Sequence, residues 1–250
     1  MGKADLHIHT SYSYDGTATV AAVLEHVARK TDLDIIAITD HDEIDGALEA
    51  RELAPRYGIE VIAGSEVSTA EGHLLALYIT HRVPANLSLV ETVACVAEMG
   101  GICVAAHPGG HWEWCLQEHH LRHALSQPDV ADTLVGLEAY NASLPNLNVN
   151  QGALKMQQRL GLASVGCSDA HLLWLIGSTA TCFPGQNAYD LRKALTERTT
   201  TMQILPRPNH FLLSYGWRQV LRTLGYVQAA STTPGSAIVL RRLATAMRFA

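Results

Sequence analysis

Two histidines, His7 and His9, stand two apart in a short apolar run near the start of the chain. Side chains alternate faces along a strand, so both imidazoles project to one side, as a pair that grips one cation does. Polar residues recur at every second position on any half-exposed strand, and a single His-x-His therefore says little. Here it has company. Asp40, His41 and Asp42 close a second apolar run, Glu66 a third, His107 a fifth, and Asp169 with His171 a seventh. Imidazole and carboxylate are the ligands of borderline divalent metals. A histidine satisfied by one backbone hydrogen bond accounts for any single member of the set, but not for His, Asp and Glu recurring where the runs end.

Residues this far apart in sequence meet only if the elements carrying them converge. Apolar runs rich in Val, Ile and Ala over 4–9, 34–39, 60–66, 74–79, 102–106, 135–140, 163–168 and 178–183 read as strands. Segments of helical period over 18–30, 44–57, 88–99, 151–160 and 188–198 lie between them, and Gly58, Gly100 and Gly161 stand where three of those helices stop. Such alternation predicts βα units around a parallel sheet, whose C-terminal strand ends share one face when the sheet closes. We read residues 1–205 as a catalytic barrel. Beyond the break at 206–208, amphipathic stretches over 211–224 and 237–249 predict a C-terminal helical extension, 206–250, packed on or beside it.

The 250 residues, 48% of them apolar, suffice for one large core. The five cysteines are widely spaced and lack a Cys-x-x-Cys pair, which argues against a disulfide framework and for a reducing, cytoplasmic setting. The first apolar stretch is broken by Asp5, His7 and His9, so no signal peptide is expected, and no segment has the roughly 18 apolar residues of a membrane span. The net charge of −6 is unevenly spread: no acidic residue follows Glu197, whereas Arg198, Arg207, Arg218, Arg222, Arg241, Arg242 and Arg248 do. An acidic body suits cations; a basic tail suits a phosphate-bearing ligand, an acidic partner or a solvated helical face.

The ordered set His7-Ile8-His9, Asp15 in Ser13-Tyr14-Asp15-Gly16, Asp40-His41-Asp42, Glu66, His73, His107 and Asp169-Ala170-His171 resembles the polymerase-and-histidinol-phosphatase (PHP) family over about residues 3–185. The resemblance implies an α/β fold, a distorted (β/α)7 TIM-like barrel, with two or three Mn, Zn or Fe ions that hydrolyse phosphate esters. It also implies the ligands. His7, His9, Glu66 and Asp169 would hold one metal; Glu66 would bridge to a second, held with His73 and His107; and Asp15, His41 and His171 would hold a third. His73 is the least regular of these, because it begins its strand. Only 34 positions separate it from His107, which leaves no room for an inserted lid domain.

Clustered divalent cations cancel the charge that repels a nucleophile from a phosphate ester, and they turn bound water into hydroxide near neutral pH. Asp169 would then accept or orient the proton of the nucleophile, and His171 or His41 would protonate the leaving oxygen. Arg207, Arg82, His111 and Asn141 are candidate substrate contacts, with His119, His120, His123 and Glu138 as further possibilities. The expected substrate is a small phosphomonoester such as a nucleotide. No paired aromatic surface for stacked bases is apparent, which disfavours an exonuclease acting on nucleic acid; a cyclic-phosphate diesterase stays open. An amidohydrolase also begins with His-x-His but commonly bridges its metals with a carboxylated lysine, and none of Lys3, Lys30, Lys155 and Lys193 ends an expected strand. A non-catalytic metal-binding module is the remaining alternative, and loss of ligands would be its mark.

Overall fold

A computed structural model describes residues 1–144 and 147–205. The helical extension expected over 206–250, and with it Arg207, lies outside the described residues. Among the described residues, nine strands form one sheet in the order β7-β6-β5-β4-β3-β2-β1-β8-β9. They are β1 (Gly2–Ile8), β2 (Ile35–Ile38), β3 (Glu60–Ser68), β4 (His73–Leu77), β5 (Ile102–Ala105), β6 (Leu134–Asn141), β7 (Ala163–Cys167), β8 (Thr179–Phe183) and β9 (Thr201–Ile204). The sheet curls into a nearly closed barrel. The β7 end closes onto β1, where Ile8 bridges Ala170 just past β7, with His9 N donating to Ala170 O at 3.0 Å and Ala170 N to His7 O at 3.1 Å.

Strands β1, β2 and β3 are parallel, as are β5, β6 and β7, whereas β4 runs antiparallel to both of its neighbours. A short connection decides this. Ser68 pairs with His73, leaving too little chain for a parallel crossover, which takes a dozen residues or more. Strand β8 is likewise antiparallel, to β1 and to β9.

Alternation along the strands sorts side chains into two layers. Ala4, Leu6, Ile35, Ala37, Leu75, Val104 and Val165 form an inner core. Ile36, Ile38, Leu74, Ala76, Cys103 and Ala105 join an outer one with Val23 and Val27 of α1 (Val20–Lys30), Ala47 and Ala50 of α2 (Asp45–Leu53), and Val93 and Val96 of α3 (Leu89–Glu98). Helix α2 gives way at Leu53 to a tighter turn, Ala54–Arg56, because Pro55 disfavours continuation. The remaining helices are α4 (Glu118–Leu125), α5 (Pro128–Ala131), α6 (Leu147–Leu160) and α7 (Ala188–Thr196). Leu191, Ala194 and Leu195 of α7 enter the inner core beside Phe183, and Ala188 accepts the Tyr78 hydroxyl at 2.7 Å, so α7 plugs the end where the parallel strands begin. The opposite end is left for the polar residues.

Candidate metal centre

At that open end the strand termini and their loops gather nine His, Asp and Glu side chains, with one carboxylate at the centre of the other eight. Glu66, on β3 and 1% exposed, is crowded on both oxygens. Oε1 lies 2.9 Å from His73 Nδ1 and 2.8 Å from His107 Nε2. Oε2 lies 3.1 Å from His7 Nε2, 3.3 Å from His9 Nε2 and 3.2 Å from His41 Nδ1. Asp169 Oδ1 adjoins the same group, 3.3 Å from His9 Nε2, 3.6 Å from His7 Nε2 and 3.4 Å from His171 Nδ1. Asp15 Oδ2 completes the rim, 2.9 Å from His171 Nε2 and 3.5 Å from His41 Nε2. The reversed direction of β4 explains His73: the start of an antiparallel strand lies at the same end as its neighbours' C-termini.

Supporting residues fix the ring orientations. His7 Nδ1 donates to Glu138 Oε1 at 2.8 Å, and His9 Nδ1 meets Ser13 Oγ at 2.9 Å. His171 Nδ1 donates to the Asp169 carbonyl at 3.0 Å. With the protons on Nδ1, the Nε2 lone pairs of these rings face carboxylate oxygens, an arrangement that needs a positive charge in between. His7 Nε2 and His9 Nε2 are buried and make no hydrogen bond. Separations of 3.1 to 3.6 Å are those of donors sharing an ion at about 2.1 Å from each. The donor atoms fall into three overlapping groups, His7/His9/Glu66, His41/Glu66/His73 and His9/Asp15/His41/His171, so the residues present fit divalent cations. The grouping departs in detail from the expected partition, since His9 also joins the Asp15 group and His41 the Glu66–His73 group.

Electrostatics agree. Burial alone would keep His7 neutral, but Asp169, Glu66 and Glu138 outweigh it and hold its affinity for protons well above the ordinary imidazole range. For His9 burial is likewise overcome by Asp169 and Glu66, which push its pKa up to about 10. Burial would raise the Glu66 and Asp169 carboxyls, yet the imidazoles around them hold both far below the usual range. Without metal, protons do part of the work of cations.

Two members pay backbone strain. His107 and Asp169 adopt φ of 30° and 51°, a region non-glycine residues avoid, and such strain gathers at functional sites. Glu138 Oε2 restrains both ends of this strain, accepting from His107 N at 2.7 Å and from Asn141 Nδ2 at 2.8 Å, while Asn141 Nδ2 also reaches Asp169 Oδ2 at 3.1 Å. Asn141 is therefore fully buried behind the centre, in a supporting position. Arg82 is exposed and faces Glu43 at 3.9 Å, not the nine. His111 is exposed on the β5–α4 connection. Ser13, Asp40 and Glu138 are the supports the strand-end pattern underrated. Asp40 Oδ1 accepts from Thr10 N at 2.6 Å and Ser13 N at 3.2 Å, fixing the loop that carries Asp15.

One expectation is corrected. An aromatic pair exists: the rings of Trp112 and Trp114 are parallel to within 3°, their centroids 5.9 Å apart. They stand two apart in a tight turn, closed by Cys115 N donating to Trp112 O at 3.0 Å, so strand-like alternation gave no sign of the pair.

The PHP domain family matches residues 5–222, most of the sequence. The chain belongs to the PHP domain family. Among relatives of this PHP domain chain, a 3',5'-nucleoside bisphosphate phosphatase of Chromobacterium violaceum is 27% identical over 221 residues, covering 79% of this chain and 72% of its own. A phosphoribosyl 1,2-cyclic phosphate 1,2-diphosphodiesterase of Eggerthella lenta is 37% identical over 91 residues, 34% of either chain. The crystal structure of PsfC from Pseudomonas syringae superposes with a TM-score of 0.63 at 21% identity, covering 88% of this chain and all of that one, a likeness of fold. The protein is a PHP-type metal-dependent phosphoester hydrolase. Among the described residues, no helix is long and apolar enough to cross a membrane.

Proposed function

We propose that the centre hydrolyses a phosphomonoester of a nucleotide or another small molecule, with two or three Mn, Zn or Fe ions held among His7, His9, Asp15, His41, Glu66, His73, His107, Asp169 and His171. The crowding of five imidazoles on the two Glu66 oxygens carries this reading, because one carboxylate shared by overlapping donor groups suits several cations side by side. Bound there, such cations would neutralise phosphate oxygens and make water nucleophilic near neutral pH. A terminal phosphate carries more negative charge than a diester and gains more from such a cluster.

The chain's own groups supply positioning and proton transfer. Asn141 Nδ2 holds Asp169 Oδ2, leaving Oδ1 to orient the attacking water and take its proton. Whichever of His171 and His41, both partly exposed at the rim beside Asp15, keeps a ring nitrogen free of metal would give a proton to the leaving oxygen. His111, exposed on the β5–α4 connection, and Arg207 are proposed to contact the phosphate. A compact substrate is supported by the relative named as a nucleoside bisphosphate phosphatase, which aligns with most of the chain, whereas the cyclic-phosphate relative aligns with a third of it. Phosphate release from nucleotides and sugar phosphates, compared with hydrolysis of cyclic and linear diesters by the chelated and Mn-reloaded protein, tests the reading. Monoester kcat/KM should exceed diester kcat/KM by at least roughly tenfold and vanish on chelation; the reverse preference would overturn it.

A further inference from the structure

We infer that Trp112 and Trp114 form a stacking surface for the base of the substrate, so that the phosphomonoester cleaved is that of a nucleoside. The inference rests on the phosphomonoester reading and narrows it. The two indoles lie on the β5–α4 connection, 37% and 47% exposed, stacked with their rings parallel to within 3°, so that each leaves apolar ring surface in solvent. Aromatic surface left in water is unfavourable, and a contiguous patch of it beside a polar centre marks a place where a ligand is covered or covers.

The loop bearing the pair is built onto the centre. His73 N donates to Trp114 O at 2.9 Å, and His73 Nδ1 lies 2.9 Å from Glu66. Cys115 N donates to Trp112 O at 3.0 Å, and the buried Cys115 Sγ lies 3.8 Å from His107 Nδ1. Gln117 Nε2 closes the loop by donating to Gly110 O at 2.8 Å and Cys115 O at 2.9 Å. Both tryptophans are thereby tied through backbone bonds to neighbours of two imidazoles that touch Glu66, which fixes the loop that carries them beside the phosphate-binding end.

The chemistry of the pair selects the ligand. Parallel indoles recognise flat π faces and carry no charge, so they add nothing for the phosphate itself. A nucleoside phosphate has such a face joined through its sugar to a phosphate, so one molecule can use both the indoles and the cluster. A sugar phosphate lacks it. Base–aromatic stacking contributes about 1–3 kcal/mol per base and tolerates different bases.

The test compares adenosine 5'-monophosphate with ribose 5-phosphate on the full-length, Mn-loaded wild type, W112A/W114A and W112F/W114F, by steady-state phosphate release and by calorimetric binding. The alanine variant should lose roughly 10- to 100-fold in kcat/KM and affinity for the nucleotide, mainly through KM, while ribose 5-phosphate changes less than about twofold and the phenylalanine variant recovers most of the loss. Equal losses on both esters, or an unchanged nucleotide, would overturn the stacking surface while leaving the phosphatase reading intact. Should neither ester turn over, binding decides: nucleotide affinity that falls with alanine and returns with phenylalanine upholds the surface and sinks only the phosphatase reading, and base-independent binding overturns the surface.

Discussion

Around Glu66, each imidazole has one nitrogen committed to a fixed partner or to the carboxylate itself, and Glu138 both orients the His7 ring and braces the backbone of His107. That carboxylate, fully buried, accepts from His7 Nδ1, His107 N and Asn141 Nδ2. Glu138→Gln would set an NH2 group against at least one of those donors. Partners of metal-bound histidines typically contribute 10- to 100-fold in metal affinity, so we expect the variant to remain folded and to bind Mn roughly 10- to 100-fold more weakly by calorimetry. Unchanged affinity would show that His7 needs no orienting anion. At this scale much was legible. His7, His9, Glu66, His107 and Asp169 are marked by type and by place at the ends of apolar runs, because metal ligation demands particular atoms. Ser13 and Asp40 were harder to find, since they act through hydrogen bonds that any Ser or Asp could make and only the folded loop makes specific.

The hairpin from β3 to β4 decides whether His73 reaches the centre. Its turn is closed by Thr69 N donating to Gly72 O at 3.1 Å and by Gly72 N donating to Thr69 Oγ1 at 3.2 Å. Gly72 has φ of 147°, and a Cβ there would stand 2.7 Å from the Leu116 backbone nitrogen and 3.1 Å from Trp114 O. Gly72→Ala should therefore destabilise the protein by about 2 kcal/mol or more and, by shifting His73, weaken metal binding. Thermal melts and metal titration of the variant check this; wild-type values in both would contradict it. The strand itself was legible, but its direction was missed, because alternating strand and helix patterns suggested parallel βα units throughout. The contrary signal was chain length. The runs over 60–66 and 74–79 are too close for a crossover, and Gly72 between them is a turn residue. Strand β9 is only four residues long, partly exposed and weakly patterned, so its pairing with β8 is tertiary information.

On the scale of the whole molecule, the barrel gathers like charges and lone pairs that oppose one another unless protons or cations intervene, so stability without metal should depend on pH in a defined direction. The folded His9 imidazole is raised from 6.5 to about 10. Its stabilising contribution is fully present below pH 6.5 and is lost as pH rises through about 10, a change of roughly 4–5 kcal/mol. Glu66 and Asp169, held below their ordinary values, add stability that is present above the usual carboxylate range and is lost only as the pH falls below it. Chelated protein should thus melt roughly 10 °C lower at pH 9.5 than at pH 7, and Mn should restore most of the difference. A metal-free melting temperature that stays level or climbs over this interval would contradict the assignment.

Anomalous diffraction at the manganese edge, from crystals grown with Mn, bears most directly on the claim that one glutamate organises a multinuclear centre. The account predicts at least two peaks between the strand ends, sharing Glu66 and flanked by His7, His73, His107 and Asp169. No peak among these side chains, or a single ion that leaves Glu66 untouched, would contradict it.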